Sequence, residues 1–319
     1  MTYTAGGLIQ ATDYNGFVST TAGANVNATW NSTYGQTAIS TVSTGGNVKA
    51  TQWATLVNTI TSMSNHQPTT ITARTAPTAG TTISILAAVN TDITNCYNNR
   101  LNAYASGSQY TGWTGTNSKT SATGAGTNAW SIAFVNDVTF SSSTTRDYFF
   151  GAGGILRLQF SKTSTGTDID PDWNDFATAC GTLSFTGTST SKVIAGVTYT
   201  GTNKIAGSGT PTTLATSIGA AQLTGSNQTI FLQYIGGAYA SSYIEVLAYN
   251  LSASVIRFTA NWVQPAVSGA GQTNNISGGT AASGATPGTA PCTICTYFPP
   301  ETTYLSNSWG TPTVAATTT

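Results

Sequence analysis

The sequence predicts an α+β fold: an N-terminal, mainly helical region, then a β-sandwich-like domain with short helical insertions, then an extended C-terminal tail. Three observations carry this. Apolar residues recur at helical spacing up to about residue 104 and alternate with polar ones from Trp130 onward. Seven or so short alternating runs, closely spaced, fill the stretch from Trp130 to Gln264. After Pro265 the chain carries one charged residue, Glu301, and is rich in Gly, Ala, Thr and Ser. The boundaries drawn from this are 1–112 helical, 113–128 linker, 129–265 sandwich and 266–319 tail.

In the helical region, Thr12 or Asp13 is suited to cap a short helix bearing Tyr14, Phe17 and Val18. A longer helix follows a glycine-containing loop. Trp53, Leu56, Val57, Ile60 and Met63 lie on one face, with Thr51 as the expected cap and His66 closing the end. His66 reads as a terminal histidine satisfied by a carbonyl or by the helix dipole. A second helix is expected from about Ile83 to Tyr104, with Leu86, Val89, Ile93, Tyr97, Leu101 and Tyr104 as its stripe. Threonine and asparagine on the outer faces are poor helix formers, so packing must stabilise both.

Residues 106–128 read as a loop or linker. SIAFVNDVTF then alternates as a strand, with an irregularity expected at Asn136-Asp137. Serines and threonines precede a short helix around Arg146–Phe150, and glycines at 151, 153 and 154 end it. Ile155–Phe160 resumes alternation. Asp168, Asp170, Asp172 and Asp175 have the spacing of the start of a calcium loop, but Trp173 stands where that loop needs glycine and no glutamate closes it. A capping role is the stronger reading: Asp170 as N-cap, Pro171 at the first helical position, and Asp172 and Asp175 in the first turn. Trp173, Phe176, Ala177 and Cys180 form that helix's apolar face. The strands TLSF, KVIAGVTYTG, QTIFLQYI, SSYIEVLAYN and ASVIRFTANWVQ follow. QTIFLQYI reads as buried on both faces.

Two stretches carry a resemblance. The segment from Trp130 to Phe185, and STYGQ with the helix ending in His66-Gln67, resemble structural proteins of tailed phages, cyanobacterial and marine ones in particular. Together with the β region they cover about half of the chain. The resemblance implies a virion structural protein, tail-fibre-like or tail-associated, assembled in a host cytoplasm, with no catalytic residues to carry over.

Composition bounds the chemistry. Charged residues are 6% of the 319, against about 25% in ordinary soluble domains, and the net charge is +0. A near-neutral, charge-poor surface favours self-association. Lys and Arg are scattered singly, so nucleic-acid binding has no basis. No apolar run is long enough for a membrane span, and the first ten residues lack the pattern of a secretory signal. A triad needs a base, and His66 is the one histidine, at a helix end. Glycosidase carboxylates across a groove are not evident; Glu245 stands alone in a strand. GAGG at 151–154 lacks the lysine of a phosphate loop. No cofactor is expected. Cys96 and Cys180 fall at apolar helix positions and read as buried thiols. Cys292 and Cys295 form C-T-I-C, too few ligands for zinc with one histidine present. A disulfide between them requires maturation outside the cell.

The function that follows is structural and non-enzymatic, in the tail-fibre or baseplate apparatus, with copies of the chain (a trimer included) and other virion proteins as partners. Tyr297, Phe298, Tyr304, Leu305 and Trp309 are the expected anchors of the tail on a neighbouring subunit. The alternatives are a decoration or vertex protein of the head or tail surface, and a host-glycan-binding protein. In the latter, Tyr110, Trp113 and Trp309 would stack on sugars.

Overall fold

The computed structural model describes residues 10–19, 23–79, 86–104, 111–118, 121–122, 130–162, 169–236, 240–265, 276–277 and 292–318; for 86–87, 111–118, 121–122, 130, 169–170, 276–277 and 292 it describes the backbone alone. The fold is α+β, with helices concentrated towards the N-terminus and antiparallel sheets after them. The helices are α1 (Ala11–Val18), α2 (Val26–Trp30), α3 (Ala50–His66), α4 (Leu86–Asn98), α5 (Ser143–Gly151) and α6 (Ile169–Cys180).

Two sheets face each other. The first has five strands, in the order β1 (Thr111–Ser118), β14 (Cys292–Phe298), β4 (Ile155–Ser161), β5 (Thr182–Phe185) and β8 (Thr202–Ala206). The second has six, in the order β15 (Thr313–Thr318), β3 (Trp130–Thr139), β12 (Val255–Gln264), β11 (Tyr243–Ser252), β10 (Gln228–Tyr234) and β9 (Thr213–Leu214). Minor pairs are β2 (Ser121–Ala122) with β13 (Ile276–Ser277), and the hairpin of β6 (Lys192–Ile194) and β7 (Val197–Tyr199).

Alternation builds the sandwich. In β12, Ile256, Phe258, Ala260 and Trp262 are buried while Arg257, Thr259 and Asn261 are half-buried. The inner faces meet through aromatic rings: Phe160 stacks on Phe231 at 5.7 Å, and Phe185 meets Phe258 edge-on at 5.1 Å. Trp173 lays α6 against the same core, its ring stacked on Trp262 at 5.6 Å and its Nε1–H donating to Gln264 Oε1 at 3.1 Å. The apolar core is continuous from the helices (Tyr14, Trp53, Ile60) into the sandwich. On the far side of the six-stranded sheet Arg257 forks onto Asp137 through two hydrogen bonds of 2.6 Å.

Several elements differ from the sequence reading. β3 runs through Asn136 without a register break against β12. Asn136 keeps the inward phase, fully buried, and neither of its side-chain polar atoms has a hydrogen-bond partner. The caps sit earlier than expected. Gln10 precedes α1, with Asp13 accepting from its N–H, and Lys49 precedes α3, with Gln52 accepting from its N–H at 2.7 Å. α4 ends at Asn98, so Leu101 and Tyr104 lie beyond it, and Ile83 falls outside the described residues. α6 begins at Ile169, which places Asp170 and Pro171 inside its first turn rather than at cap and first position.

The linker and the tail need larger corrections. Residues 111–118 form β1, paired with β14. β14 lies between β1 and β4, and β15 pairs with β3. The C-terminal segment is thus part of both sheets of its own chain. CTICTYF lacks alternation because both of its faces are covered: Thr293, Ile294, Cys295 and Thr296 are all buried. β15 (TVAATT) offers no large apolar side chain to mark it.

Candidate functional site

The two motifs that stand out in the helical region, Tyr34-Gly35-Gln36 and His66-Gln67, converge on residues 301–309 of the C-terminal segment. The turn after α2 carries the first motif. Gly35 takes φ +69°, a left-handed conformation, and a Cβ there would run into the Tyr148 ring. The turn aims Gln36 at the C-terminal segment, where its amide behaves like a strand backbone. Its Nε2 donates to Ser306 O at 2.8 Å and its Oε1 accepts from Ser306 N at 2.9 Å. Ser308 Oγ donates to Tyr34 O at 2.6 Å. Gly35→Ala is expected to cost about 1–3 kcal/mol through strain and the clash with Tyr148. A shifted midpoint of urea unfolding at unchanged slope would register it.

α3 delivers the second motif. His66 ends the helix with no exposed surface, and its Nδ1 lies 2.9 Å from Glu301 Oε1. A carboxylate only accepts, so Nδ1 carries the hydrogen and donates. Burial works against the charge on Glu301. Hydrogen bonds from His66 and from Thr303 N, at 2.5 Å, outweigh it and hold the carboxyl below the ordinary glutamate value. The Tyr34 ring stands edge-on to the imidazole at 4.9 Å, and the Tyr34 hydroxyl donates to Gln67 Oε1 at 3.2 Å. The carbonyl of His66 accepts from Tyr104 N. His66 Nδ1 is therefore paired with a carboxylate 235 residues away, not with a carbonyl, while its Nε2 is buried without a hydrogen-bond partner. Beside this cluster, Arg74 pairs with buried Asp92, which also accepts from Thr72 N. None of these partners was signalled by the sequence, because each lies far along the chain with no spacing rule to connect it.

This arrangement can hold a segment of chain in place. Burial pushes the Cys96 thiol up to about 12, so it supplies no thiolate at neutral pH, and the imidazole is sealed from solvent. Among the described residues no group of three or more His, Cys, Asp or Glu side chains could hold a metal ion.

The expected anchors are all engaged within the chain itself. Tyr297 packs near Phe149 at 6.1 Å, Phe298 lies under the Arg157 guanidinium at 3.9 Å, and Tyr304 meets Tyr104 edge-on at 5.8 Å. Leu305 and Trp309 are buried. The expectation that these five residues fasten the tail to a neighbouring subunit is corrected accordingly. Trp309 is equally unavailable for stacking on a sugar. Tyr110 and the side chain of Trp113 lie outside the described residues.

In the aspartate stretch, Asp168 is outside the described residues and Asp170 is described by its backbone alone; Asp172 and Asp175 are exposed on α6. Cys96, Cys180 and Cys295 are free and buried. C-T-I-C sits in extended strand. Three residues at about 3.3 Å rise place its two Cα atoms about 10 Å apart on opposite faces, beyond the roughly 7 Å limit of a disulfide. In a Cys292→Ser background, an aromatic disulfide reagent is expected to leave the native protein unlabelled and to modify all three remaining cysteines once urea unfolds it.

Compared with known proteins, the chain matches no family model, no curated protein and no solved structure. No helix among the described residues is long and apolar enough to cross a membrane.

Proposed function

We propose that this chain is a non-enzymatic structural component of a tailed-phage particle, placed in the tail-fibre or baseplate apparatus and working by packing against copies of itself and other particle proteins. The observation that carries the reading is the outer face of the six-stranded sheet. Leu232, Tyr243, Leu247 and Val263 stand there half-exposed, beside the Asp137–Arg257 pair and one further carboxylate, Glu245, which accepts from Thr229 Oγ1 and Asn261 Nδ2. A sheet face with four large half-exposed apolar side chains and only three charged ones, on a chain whose charged residues are 6%, suits a subunit that lives in contact with others. The resemblance of Trp130–Phe185 and of the Tyr34–Gln67 segment to tailed-phage structural proteins supports the same reading.

One observation favours a second placement, as a decoration or vertex protein of the head or tail surface. The C-terminal segment completes the sandwich of its own chain, so the chain needs no intertwined tail and suits a unit seated singly on a lattice.

Gold-labelled antibody against the chain, applied to intact particles and viewed by electron microscopy, tests both. Label at the distal tail is expected. Label over the head or along the tail moves the chain to the decorating role. Absence of the chain from purified particles by mass spectrometry rejects both placements.

A further inference from the structure

Leu232, Tyr234, Tyr243, Leu247, Leu251 and Val263 are the large apolar side chains on the outer face of the six-stranded sheet, and Tyr234 and Leu251 are 42% and 44% exposed. Strand register puts them in the phase opposite to the buried Ile244, Val246, Phe258 and Trp262. Five adjacent strands, β15 to β10, span the face, and the three central ones are 10 residues long. At about 4.8 Å between strands and about 3.3 Å per residue, it measures about 24 by 30 Å, or about 700 Å². Each partner of a standard stable interface buries about 800 Å². A second copy of the same face matches that area. A peptide or a small ligand would leave most of it wet.

Charge selects the same partner. Arg257 is held by Asp137 through two hydrogen bonds. Glu245 accepts from the neutral Thr229 and Asn261 and pairs with no cation among the described residues. A polyanion or a strongly basic partner finds no set of opposite charges here. A second copy does supply the missing one. Glu245 stands opposite Asn261 in the ladder, Arg257 stands opposite Tyr249, and the pair Leu247–Thr259 lies midway between them. A two-fold axis running across the strands at that midpoint keeps the lateral place of each strand and reverses its direction. Glu245 of one copy then lies over Tyr249 of the partner subunit, one strand away from Arg257 of the partner subunit. Symmetry makes this contact twice, and each Glu245 gains a counter-charge. On the axis Leu247 meets its own copy, and the small Thr259 does not hold the sheets apart.

We infer that this face is an isologous dimer interface, in which two copies of the chain pack these sheets face to face with Leu247 on the two-fold axis and Glu245 beside Arg257 of the partner subunit. The inference rests on the reading of the chain as a subunit that packs against its own copies.

Sedimentation velocity on the full chain, between about 1 and 100 μM, tests it. A species of twice the 32.7 kDa chain mass is expected. Leu247→Lys sets two ammonium groups against each other on the axis and should weaken the dimer about hundredfold or more, and Glu245→Lys about tenfold. A cooperative melt verifies that each variant is folded. In a Cys292→Ser background the remaining native cysteines are buried. There a short bismaleimide should join Thr259→Cys to its copy, and should leave Thr55→Cys, exposed on α3, unjoined. A monomer at every concentration overturns the inference. It leaves the placement in a phage particle untouched, because the face then belongs to another particle protein. A trimer, an oligomer that Leu247→Lys leaves intact, or cross-linking through Thr55→Cys overturns it too, since each locates the contact elsewhere. A dimer that Leu247→Lys abolishes supports it, even where the chain proves absent from purified particles.

Discussion

A chain ending at Pro265 is expected to stay unfolded. The composition after that residue suggests a dispensable tail, yet the deletion removes β14 from between β1 and β4 and β15 from the edge beside β3. It also removes Ile294, Tyr297, Leu305 and Trp309 from the core. At about 1.5–3 kcal/mol for each large apolar side chain, their burial contributes about 6–12 kcal/mol, comparable to the ~5–15 kcal/mol net stability of a whole domain. β1 would lose the strand it pairs with, and β4 would become a bare edge. The truncated chain should show no near-ultraviolet circular dichroism and no cooperative melt, and should be digested rapidly by protease. A truncated chain that melts cooperatively, close to the full-length temperature, would mean that the segment's true seat is on a neighbouring subunit.

His66→Ala is expected to destabilise the full-length protein by about 3–5 kcal/mol, because it leaves the Glu301 carboxylate buried without its main partner. Glu301→Gln should cost less, since a neutral amide is easier to bury and still offers an oxygen to Thr303 N. The pH dependence separates the wild type from Glu301→Gln. Glu301 titrates lower in the folded chain than in the unfolded one. Its contribution is therefore whole above the ordinary glutamate pKa of about 4.3, and it is lost as pH falls through the lower folded value. Stability measured by urea unfolding should fall on the acid side in the wild type, with a shallower fall in Glu301→Gln. An identical acid limb in both would mean that the carboxyl carries no such dependence.

Much of the sandwich was legible because most of its long strands keep one face wet. Ile132, Phe134 and Val138 in β3, and Ile256, Phe258 and Trp262 in β12, announce themselves by period 2, and α3 by its stripe from Trp53 to Met63. Legibility fails where that contrast fails. β14 is covered on both faces, β15 is built from threonine, alanine and valine, and β1 reads as a glycine- and threonine-rich linker. Backbone pairing holds such segments in place, and backbone pairing leaves no mark in a sequence. The candidate site fared likewise. Tyr34-Gly35-Gln36 and His66-Gln67 stood out as motifs, but their common target, residues 301–309, has no local signature.

β14 is inserted between two strands that precede it by well over a hundred residues. On the ribosome, the five-stranded sheet stays divided until β14, at Cys292–Phe298, has been made. Contacts of such long sequence separation form slowly. A chain interrupted before residue 292 lacks the strand that joins β1 to β4 and cannot close the sheet, so completion of the sheet reports that synthesis has passed this point.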